Sequence, residues 1–537
     1  MPTNHRRSIQ QPSIGYGRWR IFFLAWLVLS AIAGAWSIAT PIGAAPDEPA
    51  HIIKAAAVAR GELSGKSSPD GQIVHVPAYI AYTPAQTCYA YNSLATPACA
   101  APLSGDQSKV VISSTSAGLY NPTYYALVGW PSLIFHDDTG VYAMRIISGV
   151  LSSLFLAATV MMICGWRRRV IPLLGFIVAT TPMVFFLNGV INPNSLEVTA
   201  TLAAFIAVLS IVRDGGRNLV GERAIIAMIA AAIAVNTRGI SPVWVAIAVL
   251  SPFVLATWPQ IRRLARLTAV RIAVGVIGFA TAAALAWTVL SNSLGAGLVV
   301  SPGSVAAPGV GASPLRGFAQ ILAGTFDYGE GLVGVFGWLD TPVPAPVFFL
   351  WAAFIGAIVF SALLVLRGRP LALAIGLVGA LLLLPPITQA LYITGGGIVW
   401  QGRYALALFV CVMLGLADSL AFRFPQLDPI LTRRAIWLLP TLWSGAQAYS
   451  FAYALKRYGV GVPTSSWKRL LFDPIWSPPG GTIAALAAVI VILAVATMLL
   501  ILLLRRTAAL DQTPPGFGPA ETVEADRSDS RLSPSNS

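Results

Sequence analysis

An all-α polytopic membrane protein with about twelve transmembrane helices is the fold class this sequence predicts. Three observations predict it. Apolar runs of 17 or more residues recur along the chain, each near the length needed to cross a hydrocarbon layer. The composition is 56% hydrophobic and only 10% charged, with a mean hydropathy of +0.73, which excludes an ordinary soluble globule. The arginines cluster in short segments between the apolar runs, as the positive-inside rule requires. The formal net charge of +14 is therefore a topological signal and implies no nucleic-acid partner.

Taken in order, residues 1–20 are polar and basic, which places the N-terminus in the cytoplasm. The first apolar run, 21–40, is longer than a signal-peptide core, and Pro41 and Pro46 crowd any cleavage site, so it reads as an uncleaved span. A long outer loop follows over 41–141, rich in Pro, Ser, Thr and Ala up to Tyr120. Its last apolar piece, 124–135, is about 12 residues long and interrupted by Pro131, too short to cross. Had it crossed, Arg167, Arg168 and Arg169 would end outside, so it reads as a helix lying in the outer interface. Spans are then expected at 142–164, 170–188, 196–212, 223–237, 240–258, 271–291, 346–366, 370–394, 404–422, 435–455 and 481–504. Residues 292–345 form a second outer loop, and 505–537 form a disordered cytoplasmic tail. Residues 21–504 thus make up one multi-span membrane domain with both ends cytoplasmic. Lys456, Arg457, Lys468 and Arg469 fall on the outer side against the charge rule.

The stretch Pro46-Asp47-Glu48-Pro49-Ala50-His51 follows the first span. Pro49 suits the first position of a helix, which puts Glu48 at the N-cap, Asp47 just outside it, and His51 one turn from both acids. The helix should stop at Gly61. A plain capping motif would explain the two acids; so would chemistry at the membrane surface. The other polar groups bear on the choice. No carboxylate falls at mid-membrane, where ion-coupled transporters place one; Glu197 lies at the outer end of its span and Asp418 near the inner end of its own. Polar groups gather instead at outer span ends: Asn192-Pro193-Asn194 with Glu197, Asn236-Thr237-Arg238, and Gln401-Gly402-Arg403-Tyr404 beside Trp400. Singly, each has a structural explanation as a turn, a snorkelling arginine or an interfacial anchor. Together they put arginines and carboxylates on one face, as a lipid-phosphate substrate requires. Cys88 and Cys99 share one outer loop, which predicts a disulfide, whereas Cys164 and Cys411 fall in apolar runs and read as packing residues.

The Pro46–His51 signature, Asn121-Pro122 with Tyr124-Tyr125, Asn192-Pro193-Asn194, Phe336-Gly337-Trp338-Leu339-Asp340 and Gly402-Arg403-Tyr404 together resemble a family of uncharacterised bacterial polytopic membrane proteins, the domain of unknown function 2142. That family in turn resembles the GT-C glycosyltransferases, with an acidic pair in the first outer loop and a proline-tyrosine interfacial helix. The resemblance implies a site in which Asp47 is the catalytic base, Glu48 supports it or binds a divalent cation such as Mg, and Arg238 and Arg403 hold a donor phosphate. Tyr124, Asn192, Asn194, Asp340 and Tyr404 would complete the substrate site. Asn194 stands where an acid is often found in related sequences, with Glu197 one turn on. His51 is the rival base, since its ordinary pKa suits the task.

The function expected is inverting transfer of a sugar from a polyprenyl-phosphate donor to a glycan, lipid or protein acceptor on the outer face of a bacterial plasma membrane. Two alternatives from other classes are a lipid or polysaccharide flippase or export component without catalysis, and a structural envelope protein.

Overall fold

The computed structural model describes residues 15–69, 71–215, 219–294, 308–424, 428–462 and 466–512. Helices dominate the chain. Among the described residues, eight are long and apolar enough to cross a membrane: Gly17–Ala39, Asp138–Cys164, Pro193–Asp214, Thr268–Leu290, Ala345–Val365, Gly368–Gly396, Gly402–Arg423 and Thr482–Asp511. A bent pair, Val170–Ala179 and Pro182–Asn188, brings the number to nine if it forms one broken span. The other three segments expected to span are also helical but weaker. Val220–Val235 has 16 residues, roughly 24 Å of rise against a hydrocarbon layer of ~30 Å. Ser241–Leu250 continues only as a 3-10 turn to Leu255, and Pro429–Val460 carries Thr441, Ser444, Gln447 and Ser450 through its middle.

The break in the bent pair has a specific cause. Pro182 has no N–H to donate, and the two helices meet at 66° across Thr180 and Thr181. The carbonyl of Thr180 is satisfied from a third helix: Trp443 Nε1 donates to it at 3.1 Å and Gln447 Nε2 at 2.9 Å. Irregular backbone inside an apolar bundle survives when neighbouring helices supply its partners.

Pro193–Asp214 and Gly402–Arg423 form the enclosed centre, while Thr268–Leu290, Ala345–Val365 and Gly368–Gly396 present most of their side chains outward. The arginine-rich end of the bundle is held by ion pairs: Arg18 with Glu222, Arg213 with Asp418, and Arg223 with Asp214. Asp511 accepts from the Arg169 and Val170 amides there, so the last helix, Thr482–Gln512, runs into the region expected to be disordered. The rest of that expected tail lies outside the described residues, as do residues 295–307 of the second loop.

At the opposite end, the first long loop is a folded layer that adds a sheet to the helices expected there. It contains an antiparallel sheet, β1 (Lys66–Ser68), β2 (Gly71–Pro77) and β3 (Val110–Thr115), with Val74 opposite Ser113 and His75 opposite Ile112. The expected helix Glu48–Ala59 packs on this sheet with its own core of Ile52, Ile53, Ala56, Val74, Val76 and Tyr125. Segment 124–135 is two short pieces, Thr123–Val128 and a 3-10 turn Trp130–Leu133, and is not among the candidate spans. Gly129 sits there because its backbone is pressed against the Ala55 carbonyl, where a Cβ has no room. Cys88 and Cys99 form the expected disulfide. The second loop contributes the helices Pro314–Ala323 and Thr325–Val333 and a small hairpin, β4 (Val335–Phe336) with β5 (Thr341–Pro342).

Arg457, which ran against the charge rule, lies buried at this loop end. Its Nη2 donates to the carbonyls of Tyr89 at 2.8 Å and Asn92 at 3.0 Å and to Asp340 Oδ2 at 2.8 Å, and its Nη1 donates to the Ala95 carbonyl. Of the four residues that ran against the rule, Arg457 is thus engaged inside the protein, whereas Lys468 and Arg469 are exposed.

Candidate functional site

Asp47 is itself the N-cap of the Glu48–Ala59 helix, which starts one residue earlier than expected, and Glu48 is the first helical residue. Its backbone is left-handed, with φ 65°, which a non-glycine residue adopts only when held there. The carboxylate makes no capping bond; it turns outward, about half exposed, and accepts from Arg403 Nη2 at 2.9 Å.

Arg403 is buried in the 3-10 turn Gly402–Ala405, on the far side of the sequence from Asp47. Its Nε donates to Gln401 Oε1 at 2.6 Å. Nη1 is buried without a hydrogen-bond partner, an unusual state for a guanidinium. Gly402 makes the approach possible, because a Cβ at that position would overlap the Tyr328 carbonyl and Gly331.

Arg238 comes from the turn after Val220–Val235, and its guanidinium lies over the Tyr404 ring at 4.4 Å from the centroid. Arg403 lies 5.3 Å from the same centroid, so one tyrosine holds both cations beside each other. Behind Arg238, the fully buried Glu197 accepts from Arg238 Nη1 at 3.5 Å, from Asn194 Nδ2 at 3.0 Å and from the Ser241 hydroxyl.

His51 is buried against the rings of Tyr120 and Tyr125, and its Nδ1 shares a hydrogen bond with the Tyr125 hydroxyl at 2.8 Å. Burial drives its pKa from 6.5 down to about 3; Asp47 favours the proton, and Arg403 and Arg238 oppose it. The imidazole is thus held neutral, with its Nδ1 taken up by the Tyr125 hydroxyl.

The remaining expected residues have other employment. Glu48 is entirely buried: Arg145 donates to it bidentately, Nε to Oε1 at 2.7 Å and Nη2 to Oε2 at 2.7 Å, and the Ile191 amide donates to Oε1 at 3.0 Å. The other donors of Arg145 go to the carbonyls of Ser37, Thr40 and Pro41, so the pair locks the end of the first helix to the Asp47 turn. Tyr124 points away from Asp47, bonding Ser148 at 2.9 Å. Asp340 pairs with Arg457 and Thr341. Asn192 caps Pro193–Asp214 and donates to the Pro46 carbonyl at 3.3 Å, steadying the turn from behind. Arg145, Tyr120 and Arg457 had no site role in the sequence reading, and Gln401 entered it only as part of the Arg403 segment. Arg145 carried a usable signal, a lone arginine near the start of a long apolar run.

Among the described residues, no group of three or more His, Cys, Asp or Glu side chains is placed to hold a metal ion. Glu48 and Glu197 are fully engaged by arginine and amide donors, leaving Asp47 as the open carboxylate. The donor set does not fit a divalent cation bound through Asp47 and Glu48.

Fold and site together define a multi-pass helical membrane protein carrying an acid and two arginines at one end of its bundle. A family model described as "Predicted membrane protein (DUF2142)" matches residues 31–412, and the chain belongs to that family. The matched region contains Asp47, Arg238 and Arg403 alike. A comparison with curated proteins finds no match.

Proposed function

We propose that the protein is a GT-C-like glycosyltransferase of the bacterial inner membrane, with twelve spans, both termini cytoplasmic, and the Asp47 site on the outer face. It would move a sugar from a polyprenyl-phosphate donor to a hydroxyl of an envelope glycan, lipid or protein. The observation that carries this reading is the half-exposed Asp47 carboxylate held by a buried Arg403 whose Nη1 lacks a partner, with Arg238 against the same tyrosine.

The chemistry follows from those groups. The donor phosphate takes Nη1 of Arg403 and the exposed side of Arg238, both of which can donate to phosphate oxygens. Drawing Arg403 toward phosphate weakens its hold on Asp47 and leaves the carboxylate free to meet the acceptor hydroxyl. Asp47 then accepts the proton of the acceptor hydroxyl, and the oxygen forms a bond to the anomeric carbon from the face opposite the phosphate. The bond from that carbon to the phosphate oxygen breaks, and the electron pair leaves with the phosphate, stabilised by the two guanidiniums.

The test is transfer from a panel of polyprenyl-phosphate sugars to envelope fractions by purified, folded protein. Asp47→Asn should lower the rate by a factor of about 10²–10⁴, the usual contribution of a positioned base. Wild-type rates in Asp47→Asn would refute the reading.

A further inference from the structure

Beside the Asp47 site stands an aromatic pair that the reading above leaves without a role. Tyr91 comes from the disulfide loop and Trp338 from the hairpin of the second loop, and their ring centroids are 5.3 Å apart. Tyr91 is 73% exposed, and its φ of 59° is left-handed. Trp338 sits between Gly337 and Leu339, both also left-handed, and its Nε1 donates to the Gly43 carbonyl at 2.9 Å, four residues before Asp47. Non-glycine residues in that conformation persist where the surroundings impose it.

The surroundings here are rigid. Arg457 donates to the carbonyls on both sides of Tyr91, Tyr89 and Asn92, and to Asp340, two residues after Trp338. The Val462 amide donates to the Ser93 carbonyl at 2.9 Å, and the Cys88–Cys99 disulfide closes the loop. One buried arginine therefore fixes both rings at once. The charges of the site reach them: burial raises the pKa of the Tyr91 phenol, Asp47 raises it further, Arg403 opposes, and Asp340 raises it.

We propose that Tyr91 and Trp338 form a seat for a pyranose ring at the mouth of the Asp47 site. A pyranose has an apolar C–H face, which lies on an aromatic ring, and a rim of hydroxyls, which suits the half-exposed Asp47 carboxylate. A prenyl chain has no polar rim to match Asp47. The pyranose reaches this seat either as part of the acceptor or as the donor sugar, and in this the proposal rests on the transferase reading.

The experiment uses the full chain in nanodiscs and three probes: free oligosaccharides ending in glucose, galactose or mannose; a polyprenyl-phosphate sugar; and sugar-free polyprenyl phosphate. Tyr91→Asn removes the ring but tolerates the left-handed backbone, and Tyr91→Phe keeps the ring. Tyr91→Asn should bind sugar-bearing probes about tenfold more weakly, with Tyr91→Phe near wild type and sugar-free lipid unaffected. Such a loss with free oligosaccharide assigns the seat to the acceptor; a loss with the donor alone assigns it to the donor sugar. Unchanged sugar binding in Tyr91→Asn, no sugar binding in wild type, or an equal loss for sugar-free lipid would overturn the seat. Transfer by wild type alongside such a result leaves the transferase reading standing. Sugar binding lost in Tyr91→Asn, in a protein that transfers no sugar from any donor, supports the seat and removes the transferase reading.

Discussion

Glu48→Gln perturbs a pair in which both side chains are fully buried. The carboxylate receives Arg145 Nε and Nη2, each at 2.7 Å, and the amides of Ile191 at 3.0 Å and Ala45 at 3.4 Å. A glutamine keeps one oxygen, enough for Nε and the Ile191 amide, but sets an NH2 group against Nη2 and the Ala45 N–H. Donor then faces donor, and the guanidinium charge is left buried without its counter-ion. Breaking one side of a buried pair costs about 3–5 kcal/mol, so Glu48→Gln should be strongly destabilised. Asp47→Asn sits in a half-exposed pair and should cost about 1 kcal/mol or less while losing transfer. Thermal unfolding in detergent, run beside the transfer assay, separates the two. The double variant Glu48→Leu with Arg145→Met should recover part of the loss, and only part, because the Ser37, Thr40 and Pro41 carbonyls lose their donors too. A Glu48→Gln protein as stable as wild type but inactive would return Glu48 to the chemistry and refute the structural assignment.

Three further outcomes are expected. His51 binds a proton near 6.5 when unfolded but only near 3 when folded, so its contribution to stability falls as pH drops through that window, by at most about 4–5 kcal/mol. His51→Gln should flatten that acid dependence in pH-dependent unfolding and leave the acid limb of any transfer profile in place; a profile that loses its acid limb would make His51 the base. Arg403→Lys should weaken donor binding at least tenfold, since a lysine cannot serve Asp47, Gln401 and a phosphate together; unchanged donor affinity in a binding titration would reduce Arg403 to an anchor. Removing the Cys88–Cys99 bridge by double serine substitution should cost roughly 2–3 kcal/mol, read from unfolding under non-reducing conditions, and no loss would mean Arg457 alone holds that loop.

Membrane residence, the helical character of every long apolar run, the start of the helix after Asp47, and the Cys88–Cys99 pairing were all determined by the sequence itself, because each depends on local composition or on residues close along the chain. The sheet in the first loop was not read from the sequence: Ile73, Val74 and Val76 in β2 and Val110, Val111 and Ile112 in β3 are short apolar runs without clean alternation, set among Pro and Ser. Which acid does what was not legible. Asp47 and Glu48 are adjacent and alike in sequence, yet one faces outward and the other is enclosed, a difference made by Arg145, 97 residues away, and Arg403, 356 residues away. Tyr124 and Tyr125 divide in the same way, one toward Ser148 and the other toward His51. Charge rules count arginines along the chain, but burial decides whether an arginine meets lipid headgroups, a substrate or a carbonyl of its own protein. For Arg145, Arg403 and Arg457 that decision belongs to long-range packing, and only the tertiary structure contains it.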